Sequence, residues 1–238
     1  SAGTANFAIN IGGQTCTLSR TVSASSVPNV CNTSNPTAIV DVVSTTGKTW
    51  MDRNLGATRA ATSSTDVQSY GSLYQWGRGS DGHQCVNRYT GDGVTTSSTT
   101  STNSSTDTPG HGNFIKEGSS PYDWRVPQNT NLWQGVSGTN NPCPSGYRLP
   151  TEAEWSAELT ALSITNVSTA ASSVLKLPSA GRRSNIDGSL LYAGSFGYYW
   201  SSAVSGSDAP RMHFNNSSAI MGGTSYRASG HSVRCIKN

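Results

Sequence analysis

The residues of this 238-residue chain with the most reactive chemistry are five cysteines, at 16, 31, 85, 143 and 235. No two form a CxxC pair and no His stands as a second half-site, so the spacing speaks against a zinc centre and for disulfides. Cys16 and Cys31 bracket fifteen residues of turn-rich chain, and closing a loop of that size removes about 3 kcal/mol of unfolded-state freedom. Cys143 and Cys235 would tie the end of the chain to its middle. Cys85 is then left over, as a small buried hydrophobe rather than a nucleophile. Bridged cysteines place the protein outside the reducing cytosol. The four His, at 83, 111, 213 and 231, are scattered. Asp81-Gly82 and Asp92-Gly93 read as turns rather than cation ligands. The remaining chemistry is recognition. Tyr192, Phe196 and Tyr226 lie among Gly, Ser and Thr, with Tyr198 and His231 close by in sequence. In such a mixture rigid amphipathic rings supply contact area and small polar residues supply adaptable hydrogen bonds. The flanking residues predict exposure for Tyr192, Phe196 and Tyr226, and core packing for Tyr199 and Trp200.

The elements that must hold these residues belong to an unusual composition. Only 34% of the chain is hydrophobic and 12% charged, against roughly 45–50% and 25% in typical soluble domains. Ser and Thr, 66 together, and 25 Gly fill the difference, which favours loops, turns and short strands over long helices. The net charge of +3 comes from basic residues scattered singly apart from Arg182–Arg183, so no basic stripe predicts nucleic-acid binding. No apolar run approaches the length of a membrane span. No basic-then-apolar leader is present, so the expectation is that any signal peptide has been removed or never existed.

Along the chain, Ala5–Ile11 and Cys16–Val22 read as strands about a Gly12–Gly13 turn, with Ile39–Val43 a third β-branched run. Residues 1–45 are thus a β-rich segment, either a separate small module or the opening strands of a domain covering 46–238. Residues 95–106 are all Ser or Thr except Asn103 and predict a flexible surface insertion. Thr151 followed by Glu154 predicts a capped helix after Pro150. Its stripe of Trp155, Leu159 and Leu162 would pack on a sheet while Glu152 and Glu158 face water. Asp66–Trp76 predicts a second helix, burying Val67, Tyr70, Leu73, Tyr74 and Trp76. Beyond Gly181 short strands such as Tyr198–Ser201 and Ser232–Ile236 alternate with loops, anchored by Trp200 and Val233. The class expected is α+β, loop-rich, with short strands and about two helices.

Specific motifs stand within this frame. Gly146-Tyr147-Arg148-Leu149-Pro150-Thr151-Glu152-Ala153-Glu154-Trp155 resembles the GxRLPTEAEW helix start of the formylglycine-generating-enzyme type of C-type lectin fold. Thr49–Ala57 (TWMDRNLGA), Tyr74–Arg78 (YQWGR), Asp81–His83, Tyr199–Ser202 (YWSS) and Ser232–Cys235 (SVRC) look like successive blocks of the Fibrobacter major paralogous domain, a group with that fold. The resemblance runs from about residue 46 to 238. It implies a scaffold that includes Thr151, Glu154, Trp155, Trp200 and Arg234. Formylglycine-generating enzymes bind copper through two closely spaced cysteines near the C-terminus. Here the one Cys after 143 is Cys235, and the scattered His offer no iron cluster, so catalysis is not expected. The EPN or QPD and WND signatures of calcium-dependent sugar binding are missing too. No cofactor is expected, and metal content is open.

A second group with this fold, the variable proteins of diversity-generating retroelements, resembles the tail. From Leu177 to Ile236, sixty residues contain no Lys, Glu or Gln, where proportion would place three to four. Such systems randomise adenines, mostly in AAC codons, and an NNC codon never encodes Lys, Glu, Gln, Met or Trp. Between blocks that look like fixed ones (AGxR, GSL, GxxGxYWSS, a Phe-Asn strand, RAxG, SVRC) stand Ser184, Leu191, Tyr192, Phe196, Tyr198, Asp208, Pro210, His213, Ala219, Gly223, Thr224, Ser225, Tyr226, Ser229 and His231. All are reachable from AAC, which marks 181–234 as the candidate variable region. The resemblance implies a non-enzymatic display protein on a virion, phage or cell surface, binding a protein or cell-surface receptor through this set. An invariant extracellular adhesion or polysaccharide-binding domain of the same fold is the alternative, and a formylglycine-type oxidase the third reading.

Overall fold

The computed structural model describes residues 3–11 and 14–22 as backbone and residues 26–238 with side chains. Strands Gly3–Ile11 and Gln14–Val22 pair antiparallel in unbroken register, as the first β-branched runs predict. The Gly12–Gly13 turn lies outside the described residues. Ser26–Val27 pairs with Thr37–Ala38. A four-stranded sheet then orders Tyr147–Arg148, Ile236–Lys237, Thr49–Met51 and Asp41–Val43. It joins the chain's end to its first third. A second orders Leu190–Leu191, Arg182–Arg183, Gly230–His231 and Tyr74–Gln75. A third, antiparallel, runs Gly197–Trp200, Asp208–Phe214 and Ala219–Tyr226. With two helices among the described residues, the architecture is α+β, strand-dominated and loop-rich.

Helix α1, Glu152–Ala161, starts as its sequence dictates: the Glu154 amide donates to Thr151 Oγ1 at 3.2 Å, and the Thr151 amide donates to Glu154 Oε2 at 2.9 Å. Arg148 clamps the same carboxylate with both Nη groups. Trp155 is buried and Leu159 and Leu162 are half-buried, but Glu158 does not face water. It sits in the core because Ser44 Oγ, Thr46 Oγ1 and the Trp50 indole N–H all donate to its Oε1, at 2.7, 2.6 and 3.0 Å.

The helix expected over Asp66–Trp76 is only a single 3-10 turn, Val67–Ser69. Gly71, at φ +66°, ends it, and a Cβ there would stand 2.3 Å from the Leu55 carbonyl. The chain then extends, so Tyr70, Leu73, Tyr74 and Trp76 are buried from a turn and a strand while Val67 is exposed. The second helix, α2, is Val167–Ser172, capped by Asn166. The Ser/Thr-rich stretch is not a free insertion either: Thr99–Thr100 pairs in parallel with Phe114–Ile115, and Arg183 donates to Ser97 Oγ and its carbonyl at 2.6 and 2.7 Å.

The cysteine pairing differs by one partner. Cys143 bonds Cys235, as expected, but Cys31 bonds Cys85 rather than Cys16. The turn carrying Cys31 docks on the 71–94 region, where Asn32 Nδ2 donates to the Asp92 carbonyl, and this brings the two Cα atoms to 5.2 Å. Sequence proximity could not foresee that docking. All six Trp are fully buried, and each indole N–H reaches an acceptor. Trp50, Trp155, Tyr199, Met212 and Phe214 form one core cluster; Trp76, Trp124, Trp133, Trp200 and Val233 belong to another.

Candidate recognition groove

The three-stranded sheet has two faces because its side chains alternate. Tyr199, Met212 and Phe214 go to the core cluster that contains Trp155 of α1. Tyr198 opposes His213, and Arg211 opposes Gly223. The register shifts between Arg211 and His213, as a β-bulge does when it re-aims side chains. Ala219 and Met221 therefore pack against the helix-side core while Gly223 meets Arg211.

Above this second face lies a groove of about 440 Å³ lined by Arg182, Asn185, Ile186, Tyr192, Tyr198, Asp208, Arg211, Thr224, Ser225, Tyr226 and Ser229. Seven of the fifteen positions marked in the sequence, Tyr192, Tyr198, Asp208, Thr224, Ser225, Tyr226 and Ser229, converge there. Tyr192 and Tyr198 bring rings to its lining, and other rings support them from outside it: Phe196 stacks on Tyr198 with centroids 5.8 Å apart, Tyr192 lies 5.0 Å from Phe196, and His213 stacks on Tyr198 at 6.0 Å. Tyr226 stacks at 4.1 Å on Tyr122. Tyr192 and Tyr122 both hold left-handed backbone, at φ 61° and 57°. Bulky residues rarely adopt that conformation, and it concentrates at functional sites.

The other marked positions serve the groove from behind or lie apart. His231 is fully buried, stacked on Trp200 at 4.1 Å and edge-on to Tyr198 at 5.3 Å. It cannot touch a ligand as the rings stand. Ser184 and Pro210 are buried and Leu191 is half-buried in a strand. Ser229, one of the seven in the lining, is itself buried, its hydroxyl donating to Asn185. Phe196, expected exposed, is half-buried because Tyr192 and Tyr198 cover it, whereas Tyr192 and Tyr226 are 49% and 40% exposed. Gly223 leaves room for the Arg211 guanidinium, since a Cβ there would stand 2.6 Å from Nη1.

The charges are cationic on balance, with Arg182 and Arg211 against Asp208. Arg182 lies over Tyr192 at 5.9 Å and Arg211 over Tyr198 at 5.4 Å, which is favourable for cation–π attraction. Arg211 Nη1 donates to His213 Nδ1 at 2.9 Å. Burial, and after it the Arg211 charge, lowers the pKa of His213; the same two causes, with Arg182 and His213 added, push His231 well below the ordinary value. Asp208 accepts from Thr224 Oγ1 at 3.1 Å.

Arg182, Arg211, Asn185, Ile186 and Tyr122 escaped the sequence reading. Arg182 occupies the open position of AGxR and could have been found there. Tyr122 arrives from a loop about 100 residues upstream of Tyr226, and no sequence pattern announces it. The described residues hold no group of three or more His, Cys, Asp or Glu placed for a metal ion, and no helix is long and apolar enough to cross a membrane. Comparison with family models, curated proteins and solved structures finds no match.

Proposed function

We propose that this chain is a non-enzymatic recognition domain of C-type-lectin-like architecture. Its groove binds a protein or cell-surface receptor, and a retroelement rewrites its rim. The observation that carries this reading is the convergence of seven codon-compatible positions on one groove, in a frame whose Trp200, Tyr199 and Arg234 are buried. Substitutions at exposed positions usually change stability by less than about 0.5 kcal/mol, so such a frame can keep its fold while the rim changes. The two disulfides are compatible with an oxidising, extracellular setting. The Cys143–Cys235 bond also speaks against the oxidase reading, because neither sulfur is a free thiolate.

The test has two arms. Sequencing the locus should reveal a template repeat differing at adenines beside a reverse-transcriptase gene, and a locus with neither removes the retroelement from the reading. A library randomised at Tyr192, Asp208, Thr224, Ser225 and Tyr226 should yield mostly folded members, whereas randomising Tyr199, Trp200 and Arg234 should not. General unfolding of the first library would sink the display reading.

A further inference from the structure

Among the arginines whose side chains are described, all but two donate to a carboxylate or a carbonyl: Arg53, Arg59, Arg78, Arg125, Arg148 and Arg227 meet acids, while Arg88, Arg183 and Arg234 reach carbonyl oxygens. The two exceptions, Arg182 and Arg211, stand together in the groove. Arg182 has no hydrogen-bond partner for its side chain among the described residues, and Arg211 Nε is buried without one. Burial works against the Arg211 charge, and the like charge of Arg182 adds to that. A partly desolvated guanidinium beside a second one that makes no side-chain hydrogen bond is an incomplete arrangement, because the planar fork is built to meet a carboxylate in paired hydrogen bonds.

We propose that the groove receives an aspartate or glutamate side chain presented by a protein partner, with Arg182 and Arg211 as its counter-charges. This rests on the recognition reading above and names its ligand chemistry. The Arg211 fork is organised in advance: Tyr198 lies beneath it, His213 holds Nη1, and Gly223 opens the space it fills. Little ordering remains to be done on binding. The surroundings select a protein over an acidic sugar. Ile186 is 71% exposed at the groove's edge, beside Tyr192 and Tyr226. An apolar and tyrosine-rich rim about a pair of arginines has the composition of a protein interface centre, whereas an isoleucine offers nothing to sugar hydroxyls. Asp208, committed to Thr224, repels an anion from its own neighbourhood. Arg182 and Arg211 are the only cations in the lining.

The experiment is selection of a disulfide-cyclised random peptide library against the intact protein. Selected families should share one Asp or Glu, and changing it to Asn or Gln should weaken binding about tenfold or more, as should Arg182→Gln or Arg211→Gln. Gly223→Ala, which keeps the charge but displaces the fork, should weaken the same peptides. Arg182→Gln breaks no described side-chain hydrogen bond, so it keeps the test decisive even if the Arg211 variant unfolds; thermal melts establish which variants are folded. The proposal is overturned if no peptide is selected, if the selected peptides share no acid, or if binding ignores Arg182→Gln in folded protein. Saturable, arginine-dependent binding of glucuronate with no shared acid among peptides would assign the groove to acidic sugars and overturn it equally. These failures leave the library test of the display reading standing, and unfolding of those libraries would be recognised separately.

Discussion

Glu158 shows at the scale of one residue how a low-charge protein uses its few charges inside. Three donors converge on one oxygen of a carboxylate that is 1% exposed. Glu158→Ala would remove the acceptor of all three and orphan the Trp50 indole, while the Ser44 and Thr46 hydroxyls keep each other at 2.7 Å, at a cost of about 2–3 kcal/mol, whereas Glu158→Gln keeps an acceptor and should cost about 1 kcal/mol; urea denaturation measures both. His83 is the second case. Its Nε2 accepts the Gln75 amide at 3.0 Å and its Nδ1 meets Asp81 at 2.6 Å, so the ring is neutral, with its proton toward Asp81. Burial first, then the charge of Arg78, lowers its pKa to about 4. The unfolded chain takes up a proton below about 6.5 that folded His83 refuses until about 4. Its contribution is therefore complete above about pH 6.5 and shrinks as pH falls through that window, by about 2–3 kcal/mol between pH 7 and 4.5. Asp123, lifted to about 6 chiefly by burial, acts in the opposite direction, so the total slope mixes signs. The difference isolates His83: the stability gap between parent and His83→Gln should narrow by about that amount from pH 7 to 4.5.

At the scale of elements, the helix α1 start is a local device and the sheet beside it a packing device. Removing the cap with Thr151→Ala should cost about 1 kcal/mol, read from the denaturation midpoint. In the sheet, Gly197 lies opposite Phe214, and a Cβ there would stand 2.1–2.6 Å from three ring atoms. Gly197→Ala should therefore destabilise by about 2–3 kcal/mol, more than the loss of the cap, and lower the melting temperature accordingly. The capped helix was legible in the sequence because a capping box is satisfied within four residues. The helix expected at Asp66–Trp76 failed because its apolar spacing fits a turn and a strand equally well once Gly71 must pass the Leu55 carbonyl.

At the scale of the whole molecule, two long covalent loops, of 54 and 92 residues, are closed among the described residues. The chain-entropy account makes each worth about 4–5 kcal/mol. The double replacements Cys143→Ser with Cys235→Ser, and Cys31→Ser with Cys85→Ser, should each lower stability by about 2–5 kcal/mol. The check is the denaturant midpoint of each variant against the oxidised parent.

The sequence by itself determined what depends on neighbours along the chain: the paired N-terminal strands, the helix begun by Thr151, the turns at Asp81-Gly82 and Asp92-Gly93, and a tail in which Tyr192 and Tyr226 stand exposed among small residues. Only the tertiary structure decided which cysteine Cys31 meets, that Glu158 turns inward, that Arg182 joins Arg211 in one groove, and that Tyr122 stacks on Tyr226 at its edge. Those outcomes depend on contacts between residues tens to more than a hundred positions apart. Such contacts form when separately patterned segments dock, and no local spacing encodes the docking.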